Sequence, residues 1–140
     1  MTNRKLGYIV KDQEPILMGD ADTIQQACQR MWERRAGSVL VLDGDGQLAG
    51  IFTGRDAVRS IAQGKNAAKT KLADSMTMNP VTISAGCTAI DALRMMSDGG
   101  FRHLPVVEND GIWGVVSRGD FTGTELDRLD EEEHLWECIR

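Results

Sequence analysis

Apolar residues recur along this chain at two periods, and the switches between them mark out its elements. Ile24, Ala27, Cys28 and Met31 fall at helical spacing, and so do Ala89, Ala92, Leu93 and Met96. Thr23 and Thr88 stand just ahead of these runs, where a hydroxyl can accept from a free backbone N–H and cap a helix. Each helix is followed by a short apolar run, at 39–42 and 104–107, and then by a turn signal, Asp43-Gly-Asp-Gly46 or Asn109-Asp-Gly111. Further strands are expected around 48–52 and 112–116. Each should lead into a helix, beginning near Arg55 in one case and near Gly119 in the other.

The two series are copies of one another. A shift of 65 residues lays Pro15 over Pro80, Thr23 over Thr88, Ala27 over Ala92, Met31 over Met96 and Val41 over Val106. One residue is lost in the following turn. At a shift of 64, GIFTGRD (50–56) then lies over GVVSRGD (114–120). Each copy reads strand–helix–strand–turn–strand–helix. A unit of ~60 residues buries little apolar surface alone, so the two are expected to pack together and share a core.

Composition narrows the function. The chain has 140 residues, 41% hydrophobic and 26% charged, with a net charge of −5. That balance argues against non-specific nucleic-acid binding and against an anionic membrane surface. No apolar run approaches the ~20 residues of a membrane helix, and the patch near the N-terminus is too brief for a signal-peptide core. Cys28, Cys87 and Cys138 are odd in number and form no C-x-x-C pair, which fits a reducing, cytoplasmic setting. The tripeptide Arg118-Gly119-Asp120 is therefore not expected to be an adhesion sequence. Its sibling reads Gly54-Arg55-Asp56, so the order of the three is not what the copies share.

What they share is Gly-x-x-Thr/Ser-x-x-Asp. Thr53 with Asp56, and Ser117 with Asp120, have the spacing of a capping box, with Asp in place of the usual Glu. The same geometry suits a nucleotide. A helix start offers unpaired N–H groups to a phosphate, the hydroxyl adds a donor, and Arg55 or Arg118 adds charge. A carboxylate can meanwhile accept from both hydroxyls of a ribose. Cap and ligand site are compatible.

Three stretches carry a family resemblance: Met76-Thr-Met-Asn-Pro-Val-Thr82, Phe101-Arg-His-Leu-Pro-Val-Val107 and Gly114-Val-Val-Ser-Arg-Gly-Asp120. In order, spacing and tandem occurrence they resemble a CBS domain, the cystathionine β-synthase-type repeat. The first copy is looser, with Asp12 where Thr77 stands and Ser38-Val39-Leu40 where the second has His103-Leu104-Pro105.

The resemblance implies an α/β fold: two βαββα repeats packed as a pseudo-twofold module, with a C-terminal helix added. The repeats are expected at 8–63 and 71–123, joined by a linker at 64–70 and followed by a helical tail at 124–140. A short helix is expected around 71–76. Such modules commonly bind adenosine derivatives in two clefts between the repeats and dimerise. In one cleft Asp56 would hold the ribose, with Thr53 and Arg55 nearer the phosphate. Thr77, Val81 and Phe101 would line its base side, and Arg102 and His103 would face the anion. In the other, Asp120 would take the ribose, Ser117 and Arg118 the phosphate, and Ile16, Gly37 and Ser38 the base side. Asp12 lacks the neutral hydroxyl of Thr77, so the cleft of Asp56 is favoured.

Protonation of His103 is a route to pH-dependent affinity. Catalysis is not expected. Neither a P-loop, a dinucleotide fingerprint nor a zinc-protease motif is present, and the two histidines fall at a strand start and in the tail. No metal site is expected. Each cysteine, with Met31, Met95 and Met96, reads as a core or interface residue. In the tail Leu126, Leu129, Trp136 and Ile139 approximate one helical face, for packing on the module or docking to a partner. The expected function is a non-catalytic regulatory module, a homodimer, that binds AMP or alternatively ATP or NAD. It needs no obligatory cofactor and passes occupancy to an effector protein. The alternative is a ligand-free dimerisation or interaction protein.

Overall fold

The computed structural model describes residues 3–109 and 111–128. Its contacts divide the chain into two compact units. One is continuous, Pro15–Pro80; the other is split, joining Met1–Glu14 to Val81–Arg140. Helix α1 (Leu6–Val10) opens the chain and belongs to the split unit.

The continuous unit holds β1 (Leu17–Gly19), α2 (Ile24–Arg34), β2 (Ser38–Leu42), β3 (Leu48–Thr53), α3 (Gly54–Ala62) and β4 (Thr77–Met78). Its sheet runs β1-β2-β3-β4, with β1 parallel to β2 and the other pairs antiparallel. Thr23 caps α2 as expected: its Oγ1 accepts from the Gln26 N–H at 3.2 Å, while Gln26 Oε1 accepts from the Thr23 N–H at 2.9 Å. Ile24, Ala27 and Met31 turn the apolar stripe of α2 into a cluster with Ile16, Met18, Val39, Val41, Phe52 and Leu72. A single 3-10 turn, Leu72–Asp74, replaces the short helix expected around it and seats Leu72 in this cluster.

The split unit holds β5 (Ile83–Ser84), α4 (Ala89–Gly99), β6 (His103–Glu108) and β7 (Gly111–Ser117), with sheet order β5-β6-β7. Thr88 and Asp91 form the box that caps α4, and Gly100, at φ 70°, closes it in the left-handed region where a side chain would be strained. The N-terminal segment is stitched onto this unit. The Leu6 and Gly7 N–H groups donate to the carbonyls of Cys87 (2.9 Å) and Ala85 (3.0 Å), and the Ala89 N–H donates to the Arg4 carbonyl (2.8 Å). Leu6 and Val10 are buried among Leu93, Met96, Leu104, Val106 and Val116.

The duplication extends to one close approach. A Cβ on Gly50 would fall 2.5 Å from Met76 Sδ and 2.9 Å from the Thr77 carbonyl. One on Gly114, its counterpart, would fall 2.7 Å from Gln13 Oε1 and 2.8 Å from Val10 Cβ. In each unit a segment from outside the strand–helix–strand–strand run, 76–77 or 10–13, passes close to a glycine, of β3 or of β7.

The second copy departs from expectation after β7. Instead of a helix near Gly119 there is a three-residue 3-10 turn, Arg118–Asp120, and helix α5 begins only at 123 and is described as far as 128. A second box explains the delay. Thr122 and Glu125 have the T-x-x-E spacing, and the Thr122 N–H and Oγ1 donate to Glu125 Oε1 at 2.8 and 3.1 Å. The expected Leu129, Trp136 and Ile139 face lies outside the described residues.

Candidate functional site

The two Gly-x-x-Thr/Ser-x-x-Asp loops lie at the ends of β3 and β7, and both capping boxes form. In the continuous unit, Asp56 Oδ2 accepts from the Thr53 N–H at 2.9 Å and from Thr53 Oγ1 at 3.2 Å. The Asp56 N–H donates back to Thr53 Oγ1 at 3.3 Å. Its other oxygen is also engaged: Thr77 Oγ1 donates to Oδ1 at 3.3 Å, and Arg59 Nη1 sits 3.0 Å from the same atom. Arg59 Nη2 in turn donates to the Ser75 carbonyl at 2.7 Å. Asp56 is only 4% exposed. The carboxylate of this loop is thus buried and committed to its own unit.

In the split unit the same motif is open. Asp120 Oδ2 accepts from the Ser117 N–H at 2.8 Å and from Ser117 Oγ at 3.3 Å, but among the described residues no donor reaches Oδ1. Asp120 is exposed, and Ser117 and Arg118 are half-buried. The Arg118 N–H donates to the Arg102 carbonyl at 3.1 Å, and His103 pairs with Ser117 across the β6–β7 ladder. The backbones of Arg102, His103 and Arg118 therefore gather beside one hydroxyl and one exposed carboxylate. With only a 3-10 turn after Ser117, the phosphate argument from a helix start applies to Thr53 and α3 alone; at Ser117 positive charge must come from side chains.

The other expected residues fall as follows. Thr77 meets Asp56 directly, through its hydroxyl. Gly37 and Ser38, expected opposite Asp120, adjoin the first loop: the Gly54 N–H donates to the Gly37 carbonyl at 3.2 Å, and Ser38 pairs with Thr53. By the same ladder logic Arg102 and His103 adjoin the second loop. Ile16 is buried in the core of its unit, so its side chain is not offered to a ligand, contrary to the base-side role expected of it. Arg55 and Val81 are exposed, and Phe101 is half-buried against the split unit's core. Gly37 and Gly54 also line a groove of about 820 Å³ with Cys28, Met31, Trp32, Glu33, Arg35 and Ala36. Burial pushes the Cys28 thiol up, which disfavours its reactive thiolate.

Sequence reasoning passed over three residues. Arg59 lies one helical turn from Asp56, a spacing that could have been read. Arg4 and Glu125 form an ion pair at 2.9 Å, and only the T-x-x-E box around Glu125 was legible. Burial raises the Glu125 carboxyl, but bonds from Arg4 and from the Thr122 backbone and hydroxyl outweigh it and hold it at about 2. Among the described residues no group of three metal-ligating side chains lies together, and no helix is long and apolar enough to cross a membrane.

A tandem of βαββα-like repeats, each ending in a hydroxyl–carboxylate loop, defines a class of paired regulatory repeat. The CBS-domain family matches residues 9–63 and 72–125, and the chain belongs to it as a tandem pair. Proteins of this family are generally regulatory modules without catalysis of their own. The CBS domain-containing protein CBSCBSPB2 of Arabidopsis thaliana is 42% identical over 102 residues. That match takes in 72% of this chain and 19% of the relative, so the chain spans about a fifth of that protein's length.

Among solved structures, a CBS-domain containing protein of Agrobacterium tumefaciens is 31% identical with a TM-score of 0.78, over 86% of this chain and 91% of that one. A CBS domain protein of Pyrobaculum aerophilum complexed with AMP has a TM-score of 0.81 at 20% identity, over 91% of this chain and 98% of that one. The CBS domain pair of protein MJ0100, in complex with 5′-methylthioadenosine and S-adenosyl-L-methionine, has a TM-score of 0.75 at 22% identity, over 92% of this chain and 97% of its own.

Proposed function

We propose that this CBS pair is a regulatory module that binds an adenosine nucleotide through the Asp120 loop and passes occupancy to a partner protein. The observation that carries the reading is the exposed Asp120 carboxylate. One of its oxygens caps the turn and the other is open to a ribose hydroxyl. Arg102, His103 and Arg118 adjoin it, so the favoured ligand ends in an anion. That chemistry supports AMP, with ATP or NAD as longer variants, over S-adenosylmethionine, whose sulfonium is cationic. A protein of the same fold binds AMP. The first loop, with Asp56 held by Thr53, Thr77 and Arg59, supports a structural role, and it would take a ligand only by giving up part of that network.

Homodimerisation through the helices of the continuous unit belongs to this proposal. Its support is the exposure of Trp32 on α2 and of Val58 and Ile61 on α3. Light scattering tests it: a monomeric mass in solution would remove it.

The nucleotide reading is tested by calorimetric titration of AMP into wild type, Asp120→Ala and Asp56→Ala. Loss of a charge-assisted ribose bond should weaken binding ~10–100-fold in Asp120→Ala. Asp56→Ala should instead lower thermal stability. Adenosine should bind more weakly than AMP, by a margin that shrinks as salt is raised. No AMP binding to wild type, or undiminished binding to Asp120→Ala, would overturn the assignment.

A further inference from the structure

The end of the ligand loop is held by a residue 116 positions away. Arg4 Nη2 donates to the Asp120 carbonyl at 2.9 Å and to Glu125 Oε1 at 2.9 Å, while its Nε donates to Glu125 Oε2 at 3.3 Å. The Arg4 backbone N–H reaches Oε2 as well, at 3.3 Å. The side chain of Glu125 is wholly buried, and Thr122 supplies its remaining donors. One carboxylate and one guanidinium therefore tie together the N-terminal segment, the turn that carries Asp120, and the head of α5. Asp120 is gripped from two sides: its carbonyl by Arg4, its carboxylate by Ser117.

The clamp is absent from the first copy. Ile61 stands where Glu125 does at the shift of 64, and it is exposed. The two loops thus differ at the point where one presents an open carboxylate and the other does not.

We propose that Arg4 is a positioning residue for the ligand loop. The Arg4–Glu125 clamp would couple nucleotide binding at Asp120 to the order of the N-terminal segment, which makes that segment the element that reports occupancy. The proposal rests on the nucleotide reading above. Losing Arg4 strands a buried carboxylate, which favours its protonation or a movement of α5 and the turn beside it, and removes the bond to the Asp120 carbonyl. Because coupling is reciprocal, a ligand that fixes the turn must also favour the docked segment. The segment's own contacts make its docking observable: the Ala89 and Ile90 N–H groups bond to the Arg4 carbonyl and Asn3 Oδ1, at 2.8 and 3.2 Å.

The test combines AMP titration of wild type, Arg4→Ala, Arg4→Lys, Glu125→Gln and Asp120→Ala with amide hydrogen exchange of wild type, with and without saturating AMP. Arg4→Ala and Glu125→Gln should each weaken AMP binding roughly 5–100-fold. Arg4→Lys, which keeps the charge and one donor, should recover part of the loss. In wild type, AMP should slow exchange at the amides of Leu6, Gly7, Ala89 and Ile90. A folded Arg4→Ala protein with wild-type affinity overturns the proposal, and so does unchanged exchange at those amides under saturating AMP. The exchange arm decides if Arg4→Ala fails to fold. If wild type binds AMP and Asp120→Ala does not, but Arg4→Ala binds normally, the clamp fails while the nucleotide reading stands. If wild type does not bind AMP, both fall.

Discussion

Asp56 and Asp120 show how far one motif can diverge through its neighbours. Both cap a turn through a hydroxyl residue three positions earlier, a relation visible in the sequence alone. Their accessibility was not visible, because it depends on partners from elsewhere. Thr77 is 21 residues from Asp56, and Arg4 is 116 from Asp120. Spacing rules read one helical turn; they do not read folded-back chain. The sequence favoured the loop of Asp56 because Asp12 stands where Thr77 does; the geometry adds that both Asp56 oxygens are engaged within its own unit.

At the same scale, Glu125 gives a pH prediction. Its folded-state value is lowered from 4.5 to about 2, so its contribution is fully present above pH ~4.5 and is lost as pH falls from there through about 2. Chemical denaturation of wild type and Glu125→Gln across pH 7 to 2 should show a gap that closes over this window. A constant gap would mean that Glu125 acts through its shape, not its charge.

At the scale of elements, the capping boxes were the most legible feature. Thr23, Thr53, Thr88 and Ser117 each close one, as the patterning predicts. The last helix was misplaced because Ser117 and Thr122 compete to start it. Glu125 closes a second box with Thr122 and the helix follows that one, whereas α3 follows directly from Thr53.

The close approaches at Gly50 and Gly114 were not legible, since a glycine in a strand does not say what crosses it. They predict matched effects. Gly50→Ala must push Met76 and the Thr77 backbone away; Gly114→Ala must push Gln13 and Val10. Each should cost ~1–3 kcal/mol, measured by thermal or denaturant unfolding. A neutral result at Gly114 with a loss at Gly50 would show that side-chain Gln13 yields where backbone Thr77 cannot.

For the whole molecule, the repeats seen in sequence are not the units seen in contacts. The continuous unit takes in β4, which the shift of 65 assigns to the second copy, and the split unit takes in residues ahead of the first. Removing residues 1–14 should therefore damage the repeat that lies further from them in sequence. Leu6 and Val10 are both buried, and each such apolar deletion costs about 2–5 kcal/mol. Amide spectra of the truncated protein should lose dispersion for 81–128 and keep it for 15–80. Uniform loss over both would contradict the partition.

The split also sets an order of events at the ribosome. The continuous unit has all its residues once Pro80 has emerged, but the split unit must wait for Glu125 to meet Arg4, 121 positions behind it. Leu6 and Val10 must wait for Leu93, Met96, Leu104, Val106 and Val116, so residues made ahead of the continuous unit are placed after it. A nascent chain stalled before β6 is made should leave residues 4–10 open to protease, and release should close them.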